Sequence, residues 1–277
     1  MILNISNYTD IIQFFTPWLI NRFKEGYFCV ETEKTNNIYE LKPSNFEILA
    51  FQTKNPKPII PYIDMFDNDG YKYFFIVTVT PYSNEIEKNV DKSEIFQTFG
   101  NLSKKIGKDR IIWKYAPVIL NEELNKEYHY KSFRAICKRL QNKTSNCIVE
   151  FIRPYNPPIH MNLFTPDIAE NVQIEMVNEF TNIAKECGIT VYSKYGALKI
   201  SNLIKQQIIT QLEFKPENLG VLDMGLPNTC KGLCEYCCCD GNQTFKKRKD
   251  HSENSPLFFG KINKDKKHAK RRVKPLT

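Results

Sequence analysis

The sequence contains no hydrophobic run long enough to cross a membrane. Its longest apolar stretches, such as residues 74–77, are far shorter than the roughly 20 residues that a membrane-spanning helix needs. The N-terminal region also lacks the basic and then apolar pattern of a secretory signal peptide. We therefore expect a soluble cytoplasmic protein with no membrane partner.

Two further patterns are missing from the sequence. No G-x-G-x-x-G sequence follows a predicted strand, which excludes the usual dinucleotide fingerprint. No internal repeat or low-complexity tract precedes the C-terminal tail. In a reducing compartment, the nine cysteines are expected to be free thiols or metal ligands instead of disulfides.

The pattern of apolar residues predicts an α/β fold. Seven short apolar strands are predicted, at residues 27–30, 47–53, 73–80, 110–115, 147–152, 189–192 and 219–224. Helical periodicity predicts helices at residues 10–24, 93–106, 128–140, 168–187 and 198–212, with Thr9 as the cap of the first and Pro17 as a kink within it. Buried strands that alternate with helices indicate a parallel sheet. Seven such units favour a (β/α) barrel of the triosephosphate-isomerase type, complete or partial.

Positive charge is concentrated at the C-terminus. The chain of 277 residues has a net charge of +8, yet residues 245–277 alone carry 12 Lys and Arg against 3 Asp and Glu. We therefore divide the chain into a barrel domain, residues 1–244, and a basic tail, residues 245–277, that packs partly on the barrel. Such a tail can attract nucleic acid, an acidic protein or anionic lipid, or it can be a solvated terminus. If it packs on the barrel, its lysines and arginines could instead line the mouth of the pocket and attract an anionic substrate.

Five of the nine cysteines lie between Cys230 and Cys239. Cys230, Cys234 and Cys237 have the spacing C-x3-C-x2-C, which allows three thiolates to bind three irons of a [4Fe-4S] cluster and leaves the fourth iron open. The same cysteines are also suited to a zinc site, whose fourth ligand would come from the residues that follow: Cys238, Cys239 or His251.

This spacing, with Tyr236 immediately before the third cysteine, resembles the motif of radical S-adenosylmethionine enzymes, and in particular of spore photoproduct lyases, which repair DNA. The resemblance implies that the open iron binds the amino and carboxylate groups of S-adenosyl-L-methionine and that Tyr236 lies beside the adenine. It also implies a one-electron donor such as a flavodoxin or ferredoxin.

Most of the chain resembles a second family, the domain of unknown function 1848. The similar positions are residues 8–10, 18, 21–22, 51–56, 75–80, 107, 110, 113–117, 223–225, 228–230, the three-cysteine run, 251–257 and 260. The chain departs from that family at several charged positions. Asn7 and Tyr8 replace two arginines, Ala116 replaces an aspartate, and Cys238 and Cys239 replace a Tyr-Ala pair.

The order of the elements suggests a circular permutation. Radical S-adenosylmethionine enzymes carry the cysteine loop after their first barrel strand, whereas here it follows the last predicted strand, residues 219–224. Because helix 10–24 precedes every predicted strand, we interpret it as the displaced helix of the cysteine strand. This predicts that helix 10–24 packs beside strand 219–224 and that strand 27–30 is the parallel neighbour of strand 219–224.

Several polar residues near predicted strand ends are candidates for the pocket. Lys54 is the candidate for binding the carboxylate of S-adenosyl-L-methionine or an anionic substrate, the alternative being a solvent-facing lysine in a turn. Glu150, Arg153 and Tyr192 are candidates for the pocket lining, the alternative being a surface ion pair of Glu150 with Arg153. The sequence identifies no catalytic residue.

The leading hypothesis is an iron–sulfur, radical S-adenosylmethionine-type enzyme whose substrate the sequence does not name. The alternative is a non-catalytic barrel, stabilised by zinc or a cluster, that binds nucleic acid through its basic tail.

Overall fold

The computed structural model describes residues 2–6, 8–31, 38–90, 92–152, 168–212, 221–224, 229–236, 251–259 and 268–270. Its centre is a seven-stranded sheet in which every neighbouring pair of strands is parallel. The strands are β1 (Ile2–Ile5), β4 (Ile48–Thr53), β5 (Tyr73–Thr78), β6 (Ile111–Val118), β7 (Asn146–Phe151), β8 (Thr190–Ser193) and β9 (Val221–Met224). Their order across the sheet is β9-β1-β4-β5-β6-β7-β8. Apart from β9, which lies beside β1, this order follows the chain.

Helices connect the strands of this sheet. They are α1 (Ile11–Glu25), α2 (Ile63–Asn68), α3 (Ile95–Ile106), α4 (Lys126–Leu140), α5 (Glu170–Lys185) and α6 (Ile200–Leu212), with short 3-10 helices at Pro43–Asn45, Ile60–Tyr62 and Lys108–Arg110. The structure therefore confirms an α/β fold with a parallel sheet flanked by helices. Among the described residues, no helix combines the length and the apolar character required to cross a membrane.

The two faces of the sheet have separate apolar cores, because successive residues of a strand point to opposite faces. The larger core joins one face of the strands to the helices, with Leu3, Phe51, Phe75 and Trp113 among its fully buried members. The smaller core occupies the other face, and we call it the inner cluster. Its buried residues are Ile2, Ile48, Ala50, Phe74, Ile76, Ile112, Ile148, Tyr192 and Leu203.

Within the described residues, α6 is the only helix that contributes to the inner cluster. Helix α6 contributes the buried Leu203 and the partly buried Ile200 and Ile204. The other members come from six strands of the sheet. Among the described residues, side chains of the strands therefore make up most of this second apolar face. Hydrogen bonding between β8 and β9, which would close a barrel, is not seen in the described part of the chain.

A second, smaller sheet lies outside this arrangement. Strand β3 (Ile38–Leu41) pairs antiparallel with β2 (Phe28–Glu31) and parallel with β10 (His268–Lys270). The prediction that residues 27–30 form a strand of the main sheet is therefore wrong, because β2 pairs with β3.

The sequence prediction also missed β1. This strand precedes α1 and pairs in parallel with β4 on one side and with β9 on the other, Ile2 facing Val221 and Ile5 facing Met224. The parallel neighbour of the cysteine strand is thus β1, not residues 27–30. Helix α1 follows β1 along the chain and packs against β4, so its interpretation as the displaced helix of β9 is wrong.

Helix α1 is kinked and begins one residue later than predicted. Asp10, not Thr9, is its N-cap, and the Asp10 carboxylate accepts a hydrogen bond from the backbone N–H of Gln13. Pro17 lies inside the helix, and the backbone leaves helical geometry at Phe15. A proline ring clashes with the carbonyl four residues earlier, which explains a kink just before Pro17.

Candidate functional site

The described part of the cysteine motif, residues 229–236, lies beyond the C-terminal end of β9, and we call it the cysteine loop. Backbone contacts join it to the loop that follows β5. Cys234 forms an antiparallel bridge with Glu87, and the N–H of Glu235 donates to the carbonyl of Ile86 at 2.9 Å. The Asn89 amide also donates to the carbonyl of Lys231 at 2.7 Å. These contacts fix the loop at the edge where ligand sites of parallel (β/α) folds form.

The N-terminal end of α1 holds the opposite side of the cysteine loop. The hydroxyls of Thr9 and Thr229 are hydrogen-bonded to each other, and both side chains are buried. The Cys230 sulfur accepts a hydrogen bond from the backbone N–H of Asp10. The loop is therefore clamped between α1 and the loop after β5.

Two cysteine sulfurs converge on Gly232. The Gly232 N–H donates to the Cys230 sulfur at 3.4 Å, and a Cβ atom added to Gly232 would lie 3.4 Å from that sulfur and 3.7 Å from the Cys234 sulfur. Both sulfurs therefore lie within van der Waals distance of the position that a side chain at residue 232 would occupy. Cys237, Cys238 and Cys239 lie outside the described residues. Within the described residues, no group of three or more His, Cys, Asp or Glu side chains is placed to hold a metal ion.

The Cys230 thiol keeps its proton at neutral pH. Burial, followed by the nearby Asp10 carboxylate, raises the pKa of Cys230 to about 11. A metal ion would have to displace that proton, as metals do when they bind thiols.

A buried group of charged and polar side chains lies directly against the cysteine loop, and we call it the ion cluster. Its centre is Glu87, whose side chain is fully buried. The Glu87 carboxylate accepts hydrogen bonds from Lys54 at 2.7 Å, from the Thr80 hydroxyl at 2.9 Å and from the Tyr236 hydroxyl, and it forms a salt bridge with Lys92. Lys54 also donates to the Tyr236 hydroxyl. Burying a carboxylate is tolerated here because two cations and two hydroxyls satisfy it.

Opposing effects set the ionisation of this cluster. Burial alone would raise the pKa of Glu87, but the Lys54 and Lys92 ammonium groups outweigh it and lower that pKa to about 2. Burial alone would lower the pKa of Lys54, but the Glu87 carboxylate outweighs it and raises that pKa. For Lys92, burial dominates and lowers the pKa despite Glu87. With both lysines protonated and Glu87 ionised, the cluster carries a net charge of +1.

The structure thus brings together both residues predicted to bind the cofactor. Lys54 follows β4 and Tyr236 belongs to the cysteine loop, and they meet on Glu87. Sequence reasoning missed Glu87 and Lys92, which lie in the irregular loop after β5. No periodic pattern marks that loop, and a charged residue in it is usually solvent-exposed.

The other residues predicted near strand ends are not part of the ion cluster as described. Glu150 pairs with Lys114 at 2.6 Å, and Tyr192 is buried in the inner cluster. Arg153 lies outside the described residues. Trp18 and Trp113 are buried core aromatics.

Part of the C-terminal tail, residues 251–259, packs on α1. The Trp18 indole N–H donates to the carbonyl of Ser255 at 2.8 Å, and the Phe258 ring contacts the Trp18 and Phe15 rings. The His251 Nδ1–H donates to the carbonyl of Phe258 at 2.8 Å, which gives this histidine a structural role. Most basic residues of the tail lie outside the described residues, so nucleic-acid binding stays a prediction.

One family model matches most of the chain. The model of the family described as "Domain of unknown function (DUF1848)" matches residues 2–212, which end before β9 and the cysteine loop. Neither a curated protein nor a solved structure shows significant similarity to the chain.

Proposed function

The chain belongs to the DUF1848 family, and we propose that this member is an iron–sulfur protein of the radical S-adenosylmethionine type. Cys230, Cys234 and Cys237 would hold the cluster. When bound, a reduced [4Fe-4S] cluster supplies the electron that cleaves S-adenosyl-L-methionine into methionine and a deoxyadenosyl radical, which abstracts hydrogen from a substrate. A flavodoxin or ferredoxin would donate that electron.

The convergence of two cysteine sulfurs on Gly232 carries the proposal. Thiolates bind iron–sulfur clusters, and N–H groups directed at their sulfurs stabilise the bound state. Cys230 receives two such N–H groups, from Asp10 and Gly232. The space that a Cβ at Gly232 would fill lies next to both sulfurs. These observations fit a sulfur-ligated group at the loop.

The charge of the ion cluster is a second support. Deprotonated cysteines bring negative charge to the loop, and the net +1 charge of Lys54, Lys92 and Glu87 lies beside them. Electrostatic attraction between Cys234 and both lysines contributes to the pKa values of those lysines. The two lysines thus bring positive charge to the Cys234 side of the loop, whereas the Asp10 carboxylate lies beside Cys230.

Lys54 and Tyr236 are the residues that we propose for binding S-adenosyl-L-methionine. A lysine ammonium has three N–H donors, and the bonds to Glu87 and Tyr236 use two of them, which leaves one for a carboxylate. Glu87 and Lys92 would act as positioning residues, because they hold Lys54 and Tyr236 in place.

A curved sheet of the barrel type would suit this chemistry. All seven strands are parallel, and their order, with β9 beside β1, is the order that an incomplete (β/α) barrel has. The buried inner cluster supports the same curvature. Enclosure would exclude water and protect a radical from side reactions.

Metal analysis of anaerobically purified protein tests the proposal. We expect iron and sulfide with broad visible absorbance, and methionine released from S-adenosyl-L-methionine after reduction with dithionite. A colourless protein with stoichiometric zinc would instead support a zinc-stabilised binding module.

Cysteine variants test the ligand assignment. We predict that replacing Cys230, Cys234 or Cys237 singly by alanine abolishes iron binding, because a cluster with an open iron has only three protein ligands. The matched control is the double variant Cys238→Ala/Cys239→Ala, which should retain most of the iron. Equal loss of iron from the double and single variants would show that the assignment is wrong.

A further inference from the structure

A row of polar side chains crosses the inner face of the sheet, and we call it the polar row. On each of six neighbouring strands, a polar residue follows an inner-face apolar residue by two positions and so points to the same face. The row consists of Asp223, Asn4, Gln52, Thr78, Lys114 and Glu150, in the order β9-β1-β4-β5-β6-β7. The inner face is therefore apolar toward the start of the strands and polar toward their C-terminal ends, where the cysteine loop also lies.

Hydrogen bonds link one half of the polar row across three strands. The Gln52 amide donates to the Asn4 carbonyl oxygen at 2.7 Å, and the Asn4 amide donates to the Asp223 carboxylate at 2.6 Å. All three side chains are half-buried. Each amide nitrogen has two N–H groups, and these contacts use one of each. As far as the described residues show, the second N–H of each amide has no partner and can bind a ligand.

A salt bridge links the other half of the row. Lys114 and Glu150 lie 2.6 Å apart on neighbouring strands, and about a quarter and a third of their side-chain surfaces are exposed. Lys114 is the only cation of the polar row and is already paired. The row as a whole, with Asp223 and Glu150 against Lys114, carries a net charge of −1.

These charges and donors select one class of ligand. A phosphate only accepts hydrogen bonds and would face two carboxylates, whereas an ammonium group only donates them. A hydroxyl does both, and so matches a row that offers amide and ammonium donors together with carboxylate and amide acceptors. We propose that the polar row binds a small uncharged molecule with several hydroxyl groups, of the sugar type.

The site lies at the same end of the sheet as the cysteine loop. Identifying this molecule as the substrate therefore rests on the proposed function, whereas its binding requires no cluster. Binding and metal content can be measured on the same preparation of the full chain, so that failure of one proposal is distinguishable from failure of the other.

Saturation-transfer NMR with D-glucose and D-glucose 6-phosphate, both at millimolar concentration, tests the binding. We expect saturation of the glucose signals and little or none for the phosphorylated sugar. The double variant Asn4→Ala/Gln52→Ala should bind glucose about tenfold more weakly, because it removes two hydrogen-bonding groups. The matched control, Gln97→Ala/Asn101→Ala, changes the same residue types on the exposed face of α3 and should bind normally.

The proposal is overturned if glucose gives no saturation transfer, if glucose 6-phosphate binds as well as glucose, or if both double variants behave alike. Circular dichroism shows whether the row variant is folded. Should it fail to fold, Thr78→Val offers a nearly isosteric change in the same row, and unchanged binding in that folded variant would also count against the site.

Discussion

Glu87 is a fully buried carboxylate whose two cationic partners remain partly accessible, with 18% of the Lys54 and 23% of the Lys92 side chain exposed. Removing one partner of a buried ion pair costs more than the pair contributes, because the remaining charge loses its compensation. We predict that Glu87→Gln lowers the free energy of unfolding by about 3 kcal/mol. Urea denaturation at neutral pH measures this.

A surface pair provides the control for that measurement. Glu94 pairs with Lys57, and more than half of each side chain is exposed. Glu94→Gln should change stability by less than about 0.5 kcal/mol. Equal effects of the two substitutions would contradict the central role assigned to Glu87.

His129 should make stability depend on pH. Its Nδ1 accepts from the Tyr115 hydroxyl at 2.8 Å and its Nε2–H donates to the carbonyl of Ile119 at 2.7 Å, so the buried ring is neutral. Burial lowers its pKa from 6.5 to about 4. Below pH 6.5 the unfolded chain takes up a proton that the folded protein does not, so stability falls until about pH 4 and then levels off.

The native protein should therefore lose up to about 3 kcal/mol relative to His129→Gln between pH 7 and pH 4. Urea denaturation of both proteins across this range gives the difference and cancels the titration of other groups. Parallel pH profiles would show that His129 is not held neutral by its surroundings.

At the scale of single residues, the sequence identified part of the site. Tyr236 and Lys54 were predicted from a motif and from a strand end, and the structure places them in contact. Glu87 was not predictable, because its burial depends on lysines that are 33 residues before it and 5 residues after it. Only the folded loop brings these three charges together.

At the scale of elements, replacing two glycines of helical segments by alanine should change the stability of the protein in opposite directions. Gly26 ends α1 in the left-handed region, with φ of 74°, where a Cβ is strained. Gly100 lies inside α3, where the three atoms nearest to an added Cβ belong to the flexible Lys143 side chain, the closest at 3.5 Å. We predict that Gly26→Ala destabilises the protein by about 1 kcal/mol and that Gly100→Ala stabilises it by about 0.5 kcal/mol. Thermal unfolding of both variants measures the two shifts in melting temperature. Shifts of the same sign would contradict the conformations assigned to Gly26 and Gly100.

Element prediction succeeded where segments were long and failed where they were short. Helices α3, α4, α5 and α6 begin and end within a few residues of their predicted bounds. Strand β1 has four residues and only two of them, Leu3 and Ile5, join the larger core, so its pattern is weak. Residues 27–30 have an equally apolar pattern, and only pairing with β3 assigns them to the smaller sheet.

At the scale of the whole molecule, the curvature of the sheet decides how the inner face is buried. Ile111 and Ile112 are adjacent on β6 and both fully buried. Ile111 belongs to the larger core and Ile112 to the inner cluster. If the sheet encloses its inner face, both sites are well packed. We predict that Ile111→Ala and Ile112→Ala each lower the free energy of unfolding by about 3 kcal/mol.

Denaturant unfolding of the two variants compares the faces directly, since each variant is the control for the other. A loss below about 1 kcal/mol for Ile112→Ala, with a full loss for Ile111→Ala, would mean that the inner face is open and that the sheet does not curve around it.

The positions of the two tryptophans also make them useful as intrinsic fluorescence probes. Trp18 lies beneath residues 251–259 and donates its indole N–H to Ser255, whereas Trp113 lies in the sheet and donates to Val79. Since the chain has two tryptophans, Trp113→Phe leaves Trp18 as the single indole fluorophore. A red shift of its emission would then signal that residues 251–259 have separated from α1 while the sheet is still folded.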